Sequence, residues 1–330
     1  MKQDAIINCG IRLGTLQLSQ FSAATQKHGL GFCLNAVPID AGTFKQNVTL
    51  TTERGRWILR GRSHYSWQFS KERFLAELLG RETVAPVPLP YIVDESFDVF
   101  DFDYVLMPEM PGLKLSDRAA FDALSSSEQN TIALEQGRFL HNLQAYEHPV
   151  FGEYDEAADD IVGYGKPYSE VVKARASDMI ELSNRASETI ASAERRDILR
   201  GFDELAIDTV QPVFVMQDYK DGNMCVDKLD SQWRVTGLFD LMEGRFGHPL
   251  EDLPRQYATY LDSQRPGCAA AFLAGYGVTK EDIALFDLFM LIDRLIVWEF
   301  GVREGKDWFE GKSFLEWSEP YRLANSPLSI

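Results

Sequence analysis

Residues 213–240 read VFVMQDYKDGNMCVDKLDSQWRVTGLFD. An apolar run, Val213 to Met216, delivers Asp218 into a tight polar loop, and Asn223 follows five residues after it. A second strand-like run, Val235 to Phe239, ends at Asp240. Transfer of a phosphoryl group to a hydroxyl needs one carboxylate that accepts or orients the attacking O–H. It also needs a few oxygen ligands for magnesium, carboxylates among them. Asp218, Asn223 and Asp240 supply those groups in chain order. Asp and Asn are also common turn formers, so the reading depends on what surrounds this stretch.

Upstream, Asn35 to Asp40 and Asn47 to Thr52 predict two strands, the second rich in β-branched residues. Glu53-Arg54-Gly55-Arg56 reads as a hairpin connection and Trp57 to Arg60 as the returning strand. Phe69, Phe74, Leu75, Leu78 and Leu79 recur at helical spacing, with Ser70 as a candidate cap. The proline-rich run VAPVPLP, 84–90, ends that helix. Strands are predicted again around Tyr91 to Val93 and Phe102 to Met107. Beyond a connector at Pro108 to Gly112 the pattern turns helical, at Ser127 to Tyr146, over Val171 to Leu205, and after Asp252. Residues 1–34 read as helical in part. The predicted fold class is α+β: a small antiparallel β-sheet lobe with one main helix, then a larger α-rich lobe. The division falls at 1–109 and 110–330, and 330 residues suit two lobes better than one small domain.

The loop and its flanks resemble the aminoglycoside phosphotransferase and choline-kinase-like family. That family's catalytic loop is written HxDxxxxN and is followed by a separate Asp. MQDYKDGN (216–223) resembles the loop, LFD (238–240) the Asp, and GHPLEDL (247–253) the family's GDPxxDL. The resemblance implies a two-lobed protein-kinase-like fold and a small-molecule kinase that uses ATP and Mg2+. Asp218 is then the catalytic base or hydroxyl orienter, Asn223 and Asp240 are magnesium ligands, and Asp252 braces the loop. Lys220 sits where protein-kinase loops carry a lysine that contacts the transferred phosphate. AGTFKQN (41–47), with Gly42, stands at the family's nucleotide-covering loop. Arg60 of WILR aligns with the basic residue that contacts ATP phosphates. Glu72 of KERFLAELL aligns with its helix carboxylate partner, with Glu77 as the other candidate. Met107 to Glu109 resemble the hinge whose backbone meets adenine. GRFLH (137–141) and FG (151–152) match a further family pattern. Two departures stand out. Met216 replaces the loop His, which predicts weaker bracing rather than lost chemistry, and His248 replaces the first Asp of GDP, which bears on that turn's hydrogen bonds.

Composition narrows the field. Fifty acidic against 33 basic side chains give a formal charge of −17. Coating nucleic acid or anchoring to an anionic membrane requires the opposite excess. The expected partner is a small-molecule hydroxyl acceptor; an acidic surface would draw a cationic one. Cys9, Cys33, Cys225 and Cys268 are far apart, without metal-ligand spacing, which suits buried thiols in a reducing compartment. Neither a signal-peptide pattern at the start nor a bilayer-length apolar run is seen, so a cytoplasmic location is expected. His141, on an apolar helical face, reads as a hydrogen-bonded core histidine. The aromatic-rich C-terminal stretch with Trp298, Phe300, Trp308, Phe309 and Trp317 reads as core, or as a wall for an ammonium group. A protein kinase is disfavoured by the lack of an APE-like segment. A second class stays open, a nucleotide-binding, pseudokinase-like module with little transferase activity, motivated by Met216.

Overall fold

The computed structural model describes residues 5–39, 46–187, 189–309 and 311–326. The chain divides into two compact units: residues up to 112 with 155–160 and 236–242, and residues 113–154, 161–235 and 243 onward.

The first unit begins with β1 (Ile6–Asn8), α1 (Gly10–Leu13), β2 (Thr15–Gln17) and α2 (Leu18–Lys27). The N-terminal stretch is thus a short hairpin as well as helix. Then come β3 (Cys33–Pro38), β4 (Asn47–Thr52), β5 (Gly55–Gly61), α3 (Gln68–Glu82), β6 (Ile92–Asp94) and β7 (Tyr104–Pro108). The five strands form one antiparallel sheet in the order β3-β4-β5-β7-β6. Side chains alternate across a strand, and the alternation sorts this sheet into two faces. Val48, Leu50, Leu59 and Leu106 pack with Cys9, Leu13, Leu16 and Phe21 of the N-terminal stretch. Val105 and Met107 pack with Phe69 of α3 and Tyr91, and Ile58 joins them. Arg60 lies two residues beyond Ile58 and therefore projects to the α3 face. α3 starts two residues before the expected cap: Trp67 is the N-cap, and Ser70 lies in the first turn. The earlier start buries Gln68 and Phe69.

The rest of the chain, most of it in the second unit, holds β8 (Leu113–Lys114), α4 (Arg118–Asp122), α5 (Ser126–Leu143), β9 (Gly152–Asp155), β10 (Asp160–Gly163), α6 (Tyr168–Ala186) and α7 (Ser192–Glu204). These are followed by β11 (Val213–Val215), β12 (Met224–Leu229), β13 (Gln232–Leu238), β14 (Arg245–Gly247), α8 (Leu253–Asp262), α9 (Pro266–Tyr276), α10 (Ile283–Arg303) and α11 (Phe314–Ser318). Its strands make two small sheets, β10-β9-β14-β11 and β13-β12-β8. α5 and α9 approach backbone to backbone: a Cβ at Gly137 would run into the Phe272 carbonyl, and one at Gly275 into that of Leu134. A reciprocal capping box of Ser125 and Glu128 starts α5.

This packing bears on two expectations. His141 is exposed, its ring edge-on to Tyr276 at 5.6 Å. The buried stripe of α5 runs through Ile132, Gln136, Leu140 and Leu143. One residue past Leu140 turns about 100° away from it, so His141 is not a core histidine. Of the C-terminal aromatics Trp298 is buried, stacked on Phe309 at 4.0 Å and edge-on to Phe314, and Phe300, Phe309 and Trp317 are partly buried. Trp317 lies against them, while Trp308 is half exposed. Among the described residues no helix is long and apolar enough to cross a membrane.

Candidate active site

In the first unit, β5 and α3 bring Arg60 and Glu72 together. Arg60 Nη1 donates to both Glu72 oxygens, at 3.0 and 3.2 Å. Glu72 also accepts from Gln68 Nε2 at 2.9 Å, one helical turn earlier, and from the Tyr91 hydroxyl at 2.7 Å. Glu77 is exposed, so of the two sequence candidates Glu72 holds the pair. Asp240 joins from the segment after β13: its Oδ1 accepts from Nη1 and Nη2 of Arg60, both at 3.1 Å. Burial works against the Arg60 charge, but Glu72 and Asp240 outweigh it and hold the guanidinium's pKa well above its usual value. Asp240 has φ +69°. A non-glycine residue in that region costs of order 1–3 kcal/mol and persists only where its surroundings fix it, often at a functional site.

In the second unit, β11 ends at Val215 and the chain turns through Met216 and Gln217 to Asp218. Gln217 has φ +65°. Asp252, at the N-terminus of α8, fixes the turn by accepting the N–H groups of Met216 at 2.7 Å and Gln217 at 2.6 Å, one on each oxygen. Burial pushes the Asp252 carboxyl up to about 7, against the pull of those two bonds. Met216 is fully buried, and the brace runs to its backbone rather than to its side chain. Asn223 Nδ2 donates to the Asp218 carbonyl at 2.9 Å and to Oδ2 at 3.0 Å. Lys220 Nζ lies 2.7 Å from Oδ2 and 3.0 Å from Oδ1, so in this structure it pairs with Asp218. The Asp218 side chain keeps 27% of its surface exposed, enough for a solute to reach it.

The run after β13 supplies further bracing. Arg245 donates to Gln217 Oε1, to Glu251 Oε2 at 2.5 Å and to the Tyr168 hydroxyl at 3.3 Å. Tyr168 in turn donates to Glu251 at 2.6 Å. His248 fills the place of the family's Asp: its Nδ1 accepts the Leu250 N–H at 3.2 Å, while Glu251 accepts the His248 N–H. Burial holds its imidazole pKa below the usual value. The neutral form that results is the one that can accept at a ring nitrogen.

The remaining sequence candidates are less engaged. Gly42 lies outside the described residues. Met107 is paired with Ile58 in the sheet. The Glu109 N–H donates to the Arg56 carbonyl at 3.2 Å and its carboxylate takes the Arg56 guanidinium, so a base edge at that N–H would have to displace Arg56. Sequence reasoning passed over Gln68, Tyr91, Arg245, Arg255 and Gln256. Arg255 and Gln256 stand three and four residues after Asp252, the spacing that shares a helix face, and that was their available signal.

Asn223 in the second unit and Asp240 in the first each keep an oxygen that these hydrogen bonds leave uncommitted. With its NH2 group on Asp218, Asn223 has the carbonyl Oδ1 left to offer. Both Arg60 bonds of Asp240 fall on Oδ1, and Oδ2 belongs to a side chain 37% exposed. Hard oxygen donors, few in number, are what Mg2+ takes from proteins.

Comparison with known proteins agrees with this layout. A model of the phosphotransferase enzyme family matches residues 35–289. No curated protein matches the chain significantly. Among solved structures, the GDP complex of wild-type aminoglycoside 2'-phosphotransferase-IIIa superposes with TM-score 0.62 at 16% identity, over 93% of this chain and 98% of its own. A macrolide 2'-phosphotransferase from Brachybacterium faecium gives 0.57 at 15% identity, over 95% and 100%. A thermostable mutant of aminoglycoside phosphotransferase APH(4)-Ia gives 0.62 at 15%, over 91% and 96%. At such identities the likeness is one of fold, the two-lobed kinase-like α+β fold.

Proposed function

The chain belongs to the phosphotransferase enzyme family, and on that premise we propose that it transfers the γ-phosphoryl group of ATP, with Mg2+, to a hydroxyl of a small molecule. Asp218 carries the proposal. Its carboxylate is partly exposed, is held by Asn223, and sits on a loop that Asp252 anchors by two backbone bonds. It is the base or orienter: it points the acceptor's hydroxyl oxygen at the γ-phosphorus and takes its proton as the new O–P bond forms and the bond to the β-phosphate oxygen breaks, with ADP as the leaving group. Lys220, one donor group from the same carboxylate, is placed to offer its ammonium to the phosphoryl oxygens. Arg60 neutralises phosphate charge, with Glu72 fixing its approach. Asn223 and Asp240 would hold magnesium, which when bound supplies charge neutralisation to the phosphate oxygens. Catalysis on this reading is positioning and electrostatics.

The acceptor class is an aminoglycoside-like compound, an amino alcohol or another small hydroxyl-bearing metabolite, and the expected setting is the cytoplasm. All four cysteines are free and buried, in keeping with it. The binding-module reading rested on the missing loop His; the two backbone bonds from Met216 and Gln217 to Asp252 hold the loop at that point and support the transferase. The test is coupled ADP release from MgATP across a panel of hydroxyl-bearing amines, sugars and amino acids, with Asp218→Asn as control. Stimulation by one compound, lost by about a thousandfold in Asp218→Asn while ADP affinity holds, is the expected result. Undiminished turnover in that variant would refute the role of Asp218.

A further inference from the structure

The first turn of α8 grips the catalytic loop at three points. Asp252 and Gln256 hold backbone: Gln256 Oε1 accepts the Asp221 N–H at 2.6 Å. Arg255, between them, reaches a side chain instead. Its Nη1 lies 3.5 Å from Oδ1 of Asp218. Behind it stands a built support. Arg255 Nε donates to Asp293 Oδ1 at 2.5 Å. The other Asp293 oxygen accepts from Arg294 Nε and Nη2, at 3.0 and 2.5 Å. The Arg294 guanidinium lies over the Trp317 ring at 5.5 Å and the Tyr321 ring at 4.5 Å. Its Nη1 is 3.9 Å from Asp262, whose Oδ1 accepts the Tyr321 hydroxyl at 2.6 Å. The three central side chains are nearly closed to solvent, at 17% for Arg255, 7% for Asp293 and 3% for Arg294.

Two cations thus share Asp218, and they differ in freedom. Lys220 is 34% exposed, on a stem of four methylenes, and among the described residues its ammonium bonds to Asp218. It can leave for a phosphate. Arg255 cannot: one edge of its planar fork is committed to Asp293, and a guanidinium keeps its donors in fixed relation. The two arginines share the Asp293 carboxylate, and Arg294 has Asp262 as a second one.

We infer that Arg255 is a positioning residue of the transfer site. It keeps the Asp218 carboxylate in register when Lys220 turns to the donor phosphate. Through Asp293 and Arg294 it ties that carboxylate to Trp317 and Tyr321, so the C-terminal segment becomes part of the catalytic support. The inference rests on the transferase reading above for the role of Asp218.

The test uses the intact chain with Arg255→Met, Arg255→Lys and Tyr321→Leu. Hydrogen exchange without nucleotide is the first readout, and ADP formation from MgATP with water as acceptor the second. In Arg255→Met the amides of residues 216–223 should exchange about tenfold faster while those of β7 hold. Its kcat should fall about 10- to 100-fold with the ATP KM within about twofold. Arg255→Lys, which keeps the charge without the fork, should recover part of both, and Tyr321→Leu should show a weaker version of the same loss. Unchanged exchange and kcat in folded Arg255→Met overturns the inference. So does failure of both Arg255 variants to fold, which assigns the cluster to stability alone. A parent chain that forms no ADP with water or with any acceptor of the panel sinks the transferase reading instead, and the exchange result then decides the brace by itself.

Discussion

Replacing Glu72 by Gln changes one atom in the most enclosed ion pair of the first unit. The carboxylate is 2% exposed and accepts from Arg60, Gln68 and Tyr91. The partners differ in how they can adapt. Tyr91 can rotate its hydroxyl to accept from the new amide, and Gln68 can turn its own amide over. Arg60 has only donors. The cost therefore falls on Arg60. Removing one partner of a buried pair costs about 3–5 kcal/mol when the remaining charge is stranded. Here Arg60 keeps Asp240, with two bonds of 3.1 Å, and the expected loss comes down to about 2–3 kcal/mol. At about 2–4 °C per kcal/mol for a unit of this size, the melting transition should drop by about 4–12 °C. Drawn further toward Asp240, Arg60 should also bind phosphate less well, and MgADP affinity should fall about tenfold, equivalent to about 1.4 kcal/mol. Calorimetry of Glu72→Gln, Arg60→Met and the double variant closes the cycle, with a coupling of about 1–3 kcal/mol expected. A single variant melting within about 1 °C of the parent, or strictly additive effects in the cycle, would refute the reasoning.

Two other outcomes follow from the same kind of argument. Asp252→Asn keeps shape but turns an NH2 group toward one of the two N–H groups it held, so about 2–4 kcal/mol should be lost and exchange at Met216 and Gln217 should quicken in step; protection equal to the parent's would contradict the brace. Asp94 sets a pH dependence: burial pushes its carboxyl up, but hydrogen bonds from Lys27, Ser96 and Tyr104 prevail and hold it well below the ordinary value of 3.8. The stability it adds is present above that value and is lost as pH falls toward the depressed one. Asp94→Asn should therefore melt lower than the parent at neutral pH and converge with it in strong acid, and a gap independent of pH would count against the assignment.

The catalytic loop was legible because three chemistries had to appear in order, and Asp218, Asn223 and Asp240 do. The strand around Arg60 was legible because alternation puts it on the face of Ile58. Glu72 and Glu77 were left as alternatives, although Phe69, Leu75 and Ala76 flank Glu72 at three- and four-residue steps and mark it as buried. Strands of two or three residues, such as β8 and β14, give no period to detect. Ser70 misled as a cap since the start of α3 is set by burial of Phe69, not by a side-chain bond. Arg255 and Gln256 were hidden for a different reason: polar residues in a helix look solvent-facing until the loop they meet is known.

Met216 has a consequence for how the catalytic loop meets acid. An imidazole gains a proton across the range from about pH 8 to pH 5. At a position fully shut from solvent, that proton would arrive beside the most exacting turn of the molecule. A thioether has nothing to protonate there, and the backbone takes the hold that a ring nitrogen would otherwise provide. Residue 216 thus adds no titrating group of its own, and the response of the turn to acid is left to Asp252, whose carboxyl burial raises to about 7.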